Sequence, residues 1–276
     1  MYIWELPPDR FKDPELIGQS SEGCVYKAFD NHFQTDVVVK RLNSMYWDKN
    51  FEYRLIRQIK SLRRLEHPSI IKYLEFFTVE EGKATWVVYK YHPGEPLLDL
   101  MDRFPRGMPE NYALLLFKQI LKGIEYSHSK GVIHRDLKAT NILVNRNDDS
   151  VVIIDFGLAT TVEERGETMD ISAGTPYYMS PEQFLSLKET DELTDIWALG
   201  CLLQQLLTNT LPFGSPPEQP MVVFDRVQSR PPNIPSKINE DMQMIISYSL
   251  EKMKRMRMKS ATEFLKLIAM YESQRR

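Results

Sequence analysis

The stretch HRDLKATN, His134 to Asn141, gathers a carboxylate (Asp136), a cation (Lys138) and an amide (Asn141) within six residues. A carboxylate can accept a hydroxyl proton, an ammonium can neutralise a phosphoryl group in transfer, and an amide oxygen can ligate Mg2+. Further on, the apolar run VVIID ends in Asp155, a natural hard-metal ligand at a strand end. Two earlier features fit the same chemistry. Gly18 and Gly23 bracket GQSSEG between two strand-like runs, and glycine lets backbone N–H groups approach a phosphate closely. VVVK ends in Lys40, whose ammonium can reach an anionic ligand. Taken singly, the glycines also describe an ordinary hairpin turn and Lys40 an ordinary strand-end lysine. An inert polar loop is a poor account of HRDLKATN.

Holding these groups requires a strand-rich first part and a helical second part. ELIGQSSEGCVYKAFD, DVVVKRL and IIKYLEFFTVEEGKATWVVYKY read as strands, the last as a hairpin turning at Glu81-Gly82. One helix interrupts them. Leu55, Ile59, Leu62 and Leu65 recur on one face, with Gln58 in the middle of that apolar stripe. HPGEP breaks the pattern and reads as a hinge. Beyond it, PENYALLLFKQILKGIEYSHSKG predicts a helix from a proline to Gly131. NILVN and VVIIDFG predict two short strands around an Asn-Asp-Asp turn, and LTDIWALGCLLQQLLTN, apolar almost all round, a buried central helix. The expected class is α+β: a small antiparallel β lobe with one main helix (about residues 1–91) and a larger, mainly helical lobe (92–276), together one domain over 1–276.

The bulk properties exclude several classes. The 276 residues suit one large two-part unit. A net charge of −3 gives no reason to invoke nucleic acid. No apolar run approaches the roughly 18 residues of a membrane span, and MYIWELPPDR lacks the pattern of a secretory signal. Two cysteines, Cys24 and Cys201, imply no disulfide framework and fit a reducing, intracellular compartment, cytoplasmic or nuclear.

The ordered set of Gly-rich loop, strand lysine, HRD with the later Asn, DFG and SPE resembles the eukaryotic protein kinases, from about Leu16 to about Leu267. The resemblance implies the bilobal protein-kinase fold and phosphoryl transfer from ATP-Mg2+ to a protein hydroxyl. Residue by residue, it makes Asp136 the catalytic base, with Lys138 beside it, and gives Asn141 and Asp155 to Mg2+. Lys40 would meet the α- and β-phosphates, and Ile17, Gly18, Ser20 and Gly23 would line the loop over them. Adenine would bond to the Lys90 carbonyl and the His92 N–H, beside Tyr89 at the gatekeeper position and between Val25, Val38 and Leu143. His134 would buttress the site. Asp195 would anchor the catalytic loop, and Glu182 would pair with Arg257, with Arg255 as the alternative. Lys138 and Thr175 lean the acceptor toward Ser/Thr, and GTPYYMSPE looks most like NIMA-related and STE-type members. Leu158 after DFG leans toward serine. A regulatory partner is compatible with the family but unidentified.

Three positions depart from the family pattern. Ser20 stands where the loop's middle glycine would be. Ile171 stands at the commonest phosphosite, leaving Ser172, Thr168 or a carboxylate such as Asp170 approaching Arg135 to serve activation. Gln58 falls nine residues before His67, where the family places the glutamate that pairs with the strand lysine. Two function classes follow: an active Ser/Thr kinase, supported by the complete set Lys40, Asp136, Lys138, Asn141 and Asp155, and a nucleotide-binding or scaffolding pseudokinase, suggested by Gln58 and Ser20. EKMKRMRMKS reads as a solvated inter-helix loop rather than a calmodulin target.

Overall fold

The computed structural model describes residues 6–7, 9–20, 23–42, 59, 62–79, 84–156, 160–161, 176–186 and 189–275. Gln58, Thr168, Ile171, Ser172, Thr175, Gly157 and Leu158 lie outside them. The chain forms two compact units, residues 1–66 with 71–93 and residues 67–70 with 94–276.

The first unit is an antiparallel sheet of β1 (Phe11–Ser20), β2 (Gly23–Asp30), β3 (Thr35–Leu42), β4 (Tyr73–Val79) and β5 (Ala84–Lys90), in the order β1-β2-β3-β5-β4. The β-branched run VVVK alternates as a strand must. Val37 and Val39 are buried with Ala28, Trp86 and Val88, and with Leu6 and Phe11 from the N-terminal end. Val38 and Lys40 therefore belong to the opposite face. On that face Val87 packs with Ile59, Tyr73 and Tyr89. Ile59, Leu62 and Leu65 are all buried, as the helical stripe predicts for them.

The N-terminal end is stapled to the sheet by Arg10. Its guanidinium meets Asp30 at 2.7 and 3.1 Å, also binds Glu75, and lies over the rings of Phe11 and Phe77 at 4.8 and 5.1 Å. Asp30 is fully buried and also accepts the His32 N–H at 2.7 Å.

The second unit is mainly helical. Its helices are α1 (Leu97–Met101), α2 (Glu110–Ser129), α3 (Pro181–Leu185), α4 (Glu192–Thr208), α5 (Pro220–Ser229), α6 (Glu240–Ser249) and α7 (Ala261–Ser273). Short strands complete it: β6 (Glu95–Pro96), β8 (Ile142–Asn145) and β9 (Ser150–Ile153) form one sheet, and β7 (Val132–Ile133) pairs with β10 (Thr160–Thr161). Helix α2 starts just after Pro109, which stands at the N-cap, one position before the first helical residue. It stops before Gly131, which takes the left-handed φ of 68°.

Helix α4 is the centre of this unit, and fourteen of its seventeen residues are buried. Asp191 caps its start, accepting the Leu193 N–H at 3.0 Å, and left-handed Asn209 (φ 58°) closes its end. Gly200 lets α6 come close, since a Cβ there would lie 2.1 Å from Ser249 Oγ. Among the described residues no helix is long and apolar enough to cross a membrane.

Candidate active site

In the second unit, a tight loop between β7 and β8 carries the polar triplet. Ser127 Oγ on α2 donates to the Val132 carbonyl at 2.7 Å and fixes where the loop starts. Residues Ala139–Asn141 then form a single 3-10 turn, which brings Asn141 back over Asp136. Asn141 Nδ2 donates to the Asp136 carbonyl at 2.8 Å and to Asp136 Oδ2 at 3.0 Å. Lys138 Nζ meets the same Oδ2 at 2.8 Å. Both donors thus fall on one carboxylate oxygen. Ile154 donates its N–H to the Asn141 carbonyl at 2.8 Å, so Asp155 follows directly on a residue bonded to Asn141. Asp155 itself has a φ of 60°.

Behind the loop lies Asp195 of α4, with no exposed surface. Its Oδ1 accepts the Arg135 N–H at 2.8 Å, and its Oδ2 accepts the His134 N–H at 2.9 Å and His128 Nε2 at 2.8 Å. Burial alone would raise this carboxyl's pKa, but the bond and charge of His128, with the bond from the His134 backbone N–H, outweigh it and hold it below the ordinary 3.8. The bond to Arg135 supports a residue at φ 66°, a conformation that costs a non-glycine residue energy.

His134 is fully buried and buttresses the loop, as expected. Its Nδ1 accepts the Asp136 N–H at 3.2 Å while Nε2 faces the Ile154 carbonyl at 3.1 Å. One ring nitrogen must accept and the other must donate, so this network assigns the neutral Nε2–H tautomer. Its ring packs 4.5 Å from that of Phe156.

The sheet unit places its own set of expected residues on one face. Directly opposed residues in an antiparallel pair share a face. Gly18 opposes Val25, Val25 opposes Lys40, Lys40 opposes Val87, and Val38 opposes Tyr89. Gly18, Val25, Val38, Lys40 and Tyr89 therefore line one side. Ile17 sits at the register shift between Leu16 and Gly18 and is exposed. Ser20 opposes Gly23 at the end of the β1–β2 ladder. Lys90 ends β5, and His92 follows it half-buried. Leu143 belongs to the second unit, half-buried on β8 opposite Pro96 and Val152.

The late arginine is Arg257. It is wholly buried, bonds Glu182 at 2.7 and 3.1 Å and lies over the Trp197 ring at 5.0 Å. Arg255 is exposed. The loop around them forms no helix, but it is not fully solvated, because Arg257 and Met258 are buried in it.

Two contributors went unnoticed in the sequence. His128 sits in the last turn of α2, and nothing local marks it. Gln183 donates Nε2 to the Arg135 carbonyl at 2.8 Å and accepts the Ser180 N–H at 3.1 Å. The pattern S-P-E-Q, a serine with glutamine three residues later, signals a helix start but not the second bond.

The donor set suits Mg2+ bound with a nucleotide. Asn141 spends its N–H groups on Asp136, which orients its amide and leaves the oxygen as a hard ligand, and Asp155 adds a carboxylate. Among the described residues no cluster of three or more His, Cys, Asp or Glu is present. Mg2+ usually takes one or two protein groups, with phosphates and water completing its shell.

Comparison with known proteins agrees with this geometry. The family model for the protein kinase domain matches residues 11–267. Mitogen-activated protein kinase kinase kinase 2 of Arabidopsis thaliana is 30% identical over 94% of the chain and 40% of its own length. The probable serine/threonine-protein kinase SCO3848 of Streptomyces coelicolor is 31% identical over 92% of the chain and 38% of its own length. Serine/threonine-protein kinase Nek5 of Mus musculus is 34% identical over 75% and 32% respectively. The chain spans well under half the length of these relatives. A family match that runs from β1 into α7 and contains every motif of the loop and sheet establishes that the chain belongs to the protein kinase domain family.

Proposed function

We propose that this chain transfers the γ-phosphoryl group of ATP, bound with Mg2+, to serine or threonine hydroxyls of protein substrates. The observation that carries the reading is the Asp136 carboxylate, whose Oδ2 is held by Lys138 and Asn141 while its backbone is tied to His134. That arrangement supports Oδ1 as the atom that accepts the substrate's hydroxyl proton. The freed oxygen attacks the γ-phosphorus, the bond to the β-phosphate oxygen breaks, and ADP leaves. Lys138, at 2.8 Å from Asp136, supplies positive charge where the attacking oxygen and the phosphoryl group converge. Asn141 and Asp155 would hold Mg2+, which shields phosphate charge. Lys40 would pair with the α- and β-phosphates, and the backbone at Gly18 and Gly23 would cover them. Little covalent work falls to the protein, which acts through position and charge.

The Ser/Thr class is supported by Lys138 and by the relatives, which are named as serine/threonine kinases in two of the three cases above. We take residues 1–276 as one kinase domain, with a first lobe over about residues 1–91 and a second over 92–276. Two free cysteines suit a reducing compartment, cytoplasmic or nuclear.

The test is an ATP/Mg2+ assay on a basic protein carrying Ser, Thr and Tyr. Phosphate is expected on Ser and Thr, with Asp136→Asn reducing kcat about 100-fold or more. Equal signal from both proteins overturns the reading, and phosphate on Tyr alone overturns the acceptor class. Nucleotide binding without transfer would favour the pseudokinase alternative. A gain of activity in Gln58→Glu would show that the missing glutamate charge at this position limits the rate.

A further inference from the structure

The peptide unit that joins Arg135 to Asp136 is held at both of its polar atoms. The Arg135 carbonyl accepts Gln183 Nε2 at 2.8 Å, and the Asp136 N–H donates to His134 Nδ1 at 3.2 Å. One residue back, the Arg135 N–H is bonded to Asp195 at 2.8 Å. This is the backbone that turns through φ 66° at Arg135. Rotation of that one peptide plane is the local motion that would swing the Asp136 side chain.

Gln183 reaches this peptide from α3, 48 positions along the chain, and is only 4% exposed. Its two amide atoms are spent differently. Oε1 takes the Ser180 N–H at 3.1 Å, the ordinary duty of a third-position residue at a helix start. Nε2 alone serves the catalytic loop. A glutamate would satisfy the cap equally well but has no donor for the Arg135 carbonyl when ionised.

We propose that Gln183 is a positioning residue for phosphoryl transfer, its Nε2 fixing the peptide plane that aims Asp136. The proposal deepens the phosphotransfer reading and rests on it for the kinetic arm of its test.

Gln183→Glu keeps the acceptor and removes the donor. It is expected to lower kcat about tenfold or more with KM for ATP unchanged, since a small misplacement of a reacting group is costly. It is also expected to speed amide hydrogen exchange about tenfold in the segment 134–137 and not elsewhere, as loss of one supporting bond. Should the buried carboxylate prevent folding, Gln183→Met keeps the length and gives the same two readouts. Wild-type kcat with wild-type exchange in a folded variant overturns the proposal. Exchange is read whether or not phosphate is transferred. An inactive wild type whose Gln183 variants show the local acceleration would therefore sink the phosphotransfer reading and uphold the peptide-holding role. An inactive wild type with unchanged exchange would sink both.

Discussion

Arg257 and Glu182 stand 75 positions apart and meet as a two-point ion pair, Nη1 to Oε1 at 2.7 Å and Nη2 to Oε2 at 3.1 Å. The guanidinium also donates to the carbonyls of Leu193 and Glu251 at 2.9 and 2.8 Å, so its donors are well matched to acceptors. Removing one partner of such a pair leaves a buried charge uncompensated. Arg257→Met is therefore expected to cost about 3–5 kcal/mol, read by urea denaturation. The double variant Arg257→Met/Glu182→Met should recover part of that loss, and a double variant as unstable as the single one would contradict the account.

The same pair should make stability depend on pH. Burial by itself would raise the Glu182 carboxyl, but the bonds and charge of Arg257 outweigh it and hold it below the ordinary 4.5. A carboxyl depressed on folding contributes stability that is fully present above its unfolded pKa and is lost as pH falls through the folded one. Asp195 and Asp30, also held below 3.8, act in the same direction. Unfolding free energy should thus fall as pH drops from about 4.5 downward, and the fall should be shallower in the double variant. Parallel profiles for the two proteins would remove Glu182 from the explanation.

Asp195→Asn should damage the catalytic loop from behind. Its carboxylate accepts three donors, and an amide in its place turns an N–H group toward one of them. A stranded buried donor costs about 1–3 kcal/mol. With Arg135 no longer held at its left-handed φ, kcat is expected to fall more than the stability loss alone explains. The comparison is kcat measured well below the thermal midpoint, where the variant is fully folded. Wild-type kcat under those conditions would show that Asp136 is aimed without Asp195.

Arg10→Met should loosen the N-terminal end of the sheet unit. It strands Asp30, whose carboxylate is fully buried and bonded at 2.7 and 3.1 Å by Arg10. A loss of about 3 kcal/mol is expected in urea denaturation, with increased protease sensitivity before Phe11. Arg10→Lys should rescue only partly, because an ammonium cannot reproduce the two-point bond or the stacking on Phe11 and Phe77. Full rescue by lysine would mean that charge alone holds the segment.

What the sequence determined by itself was local. Asp136, Lys138 and Asn141 fall within one turn of chain, so their meeting follows from spacing, and the motif order names the family. Period-two alternation in VVVK already separates Val38 and Lys40 from Val37 and Val39, and the apolar run from Leu193 to Leu207 already demands a buried helix. Only the tertiary structure decided which distant groups complete these elements. It chose Arg257 over Arg255, brought His128 to Asp195, and laid the Gln183 amide on the Arg135 carbonyl. Those partners are 48 to 75 residues apart. Periodicity expresses which face of an element is apolar. It does not express which donor on one element faces which acceptor on another, because that depends on how the helices and loops pack.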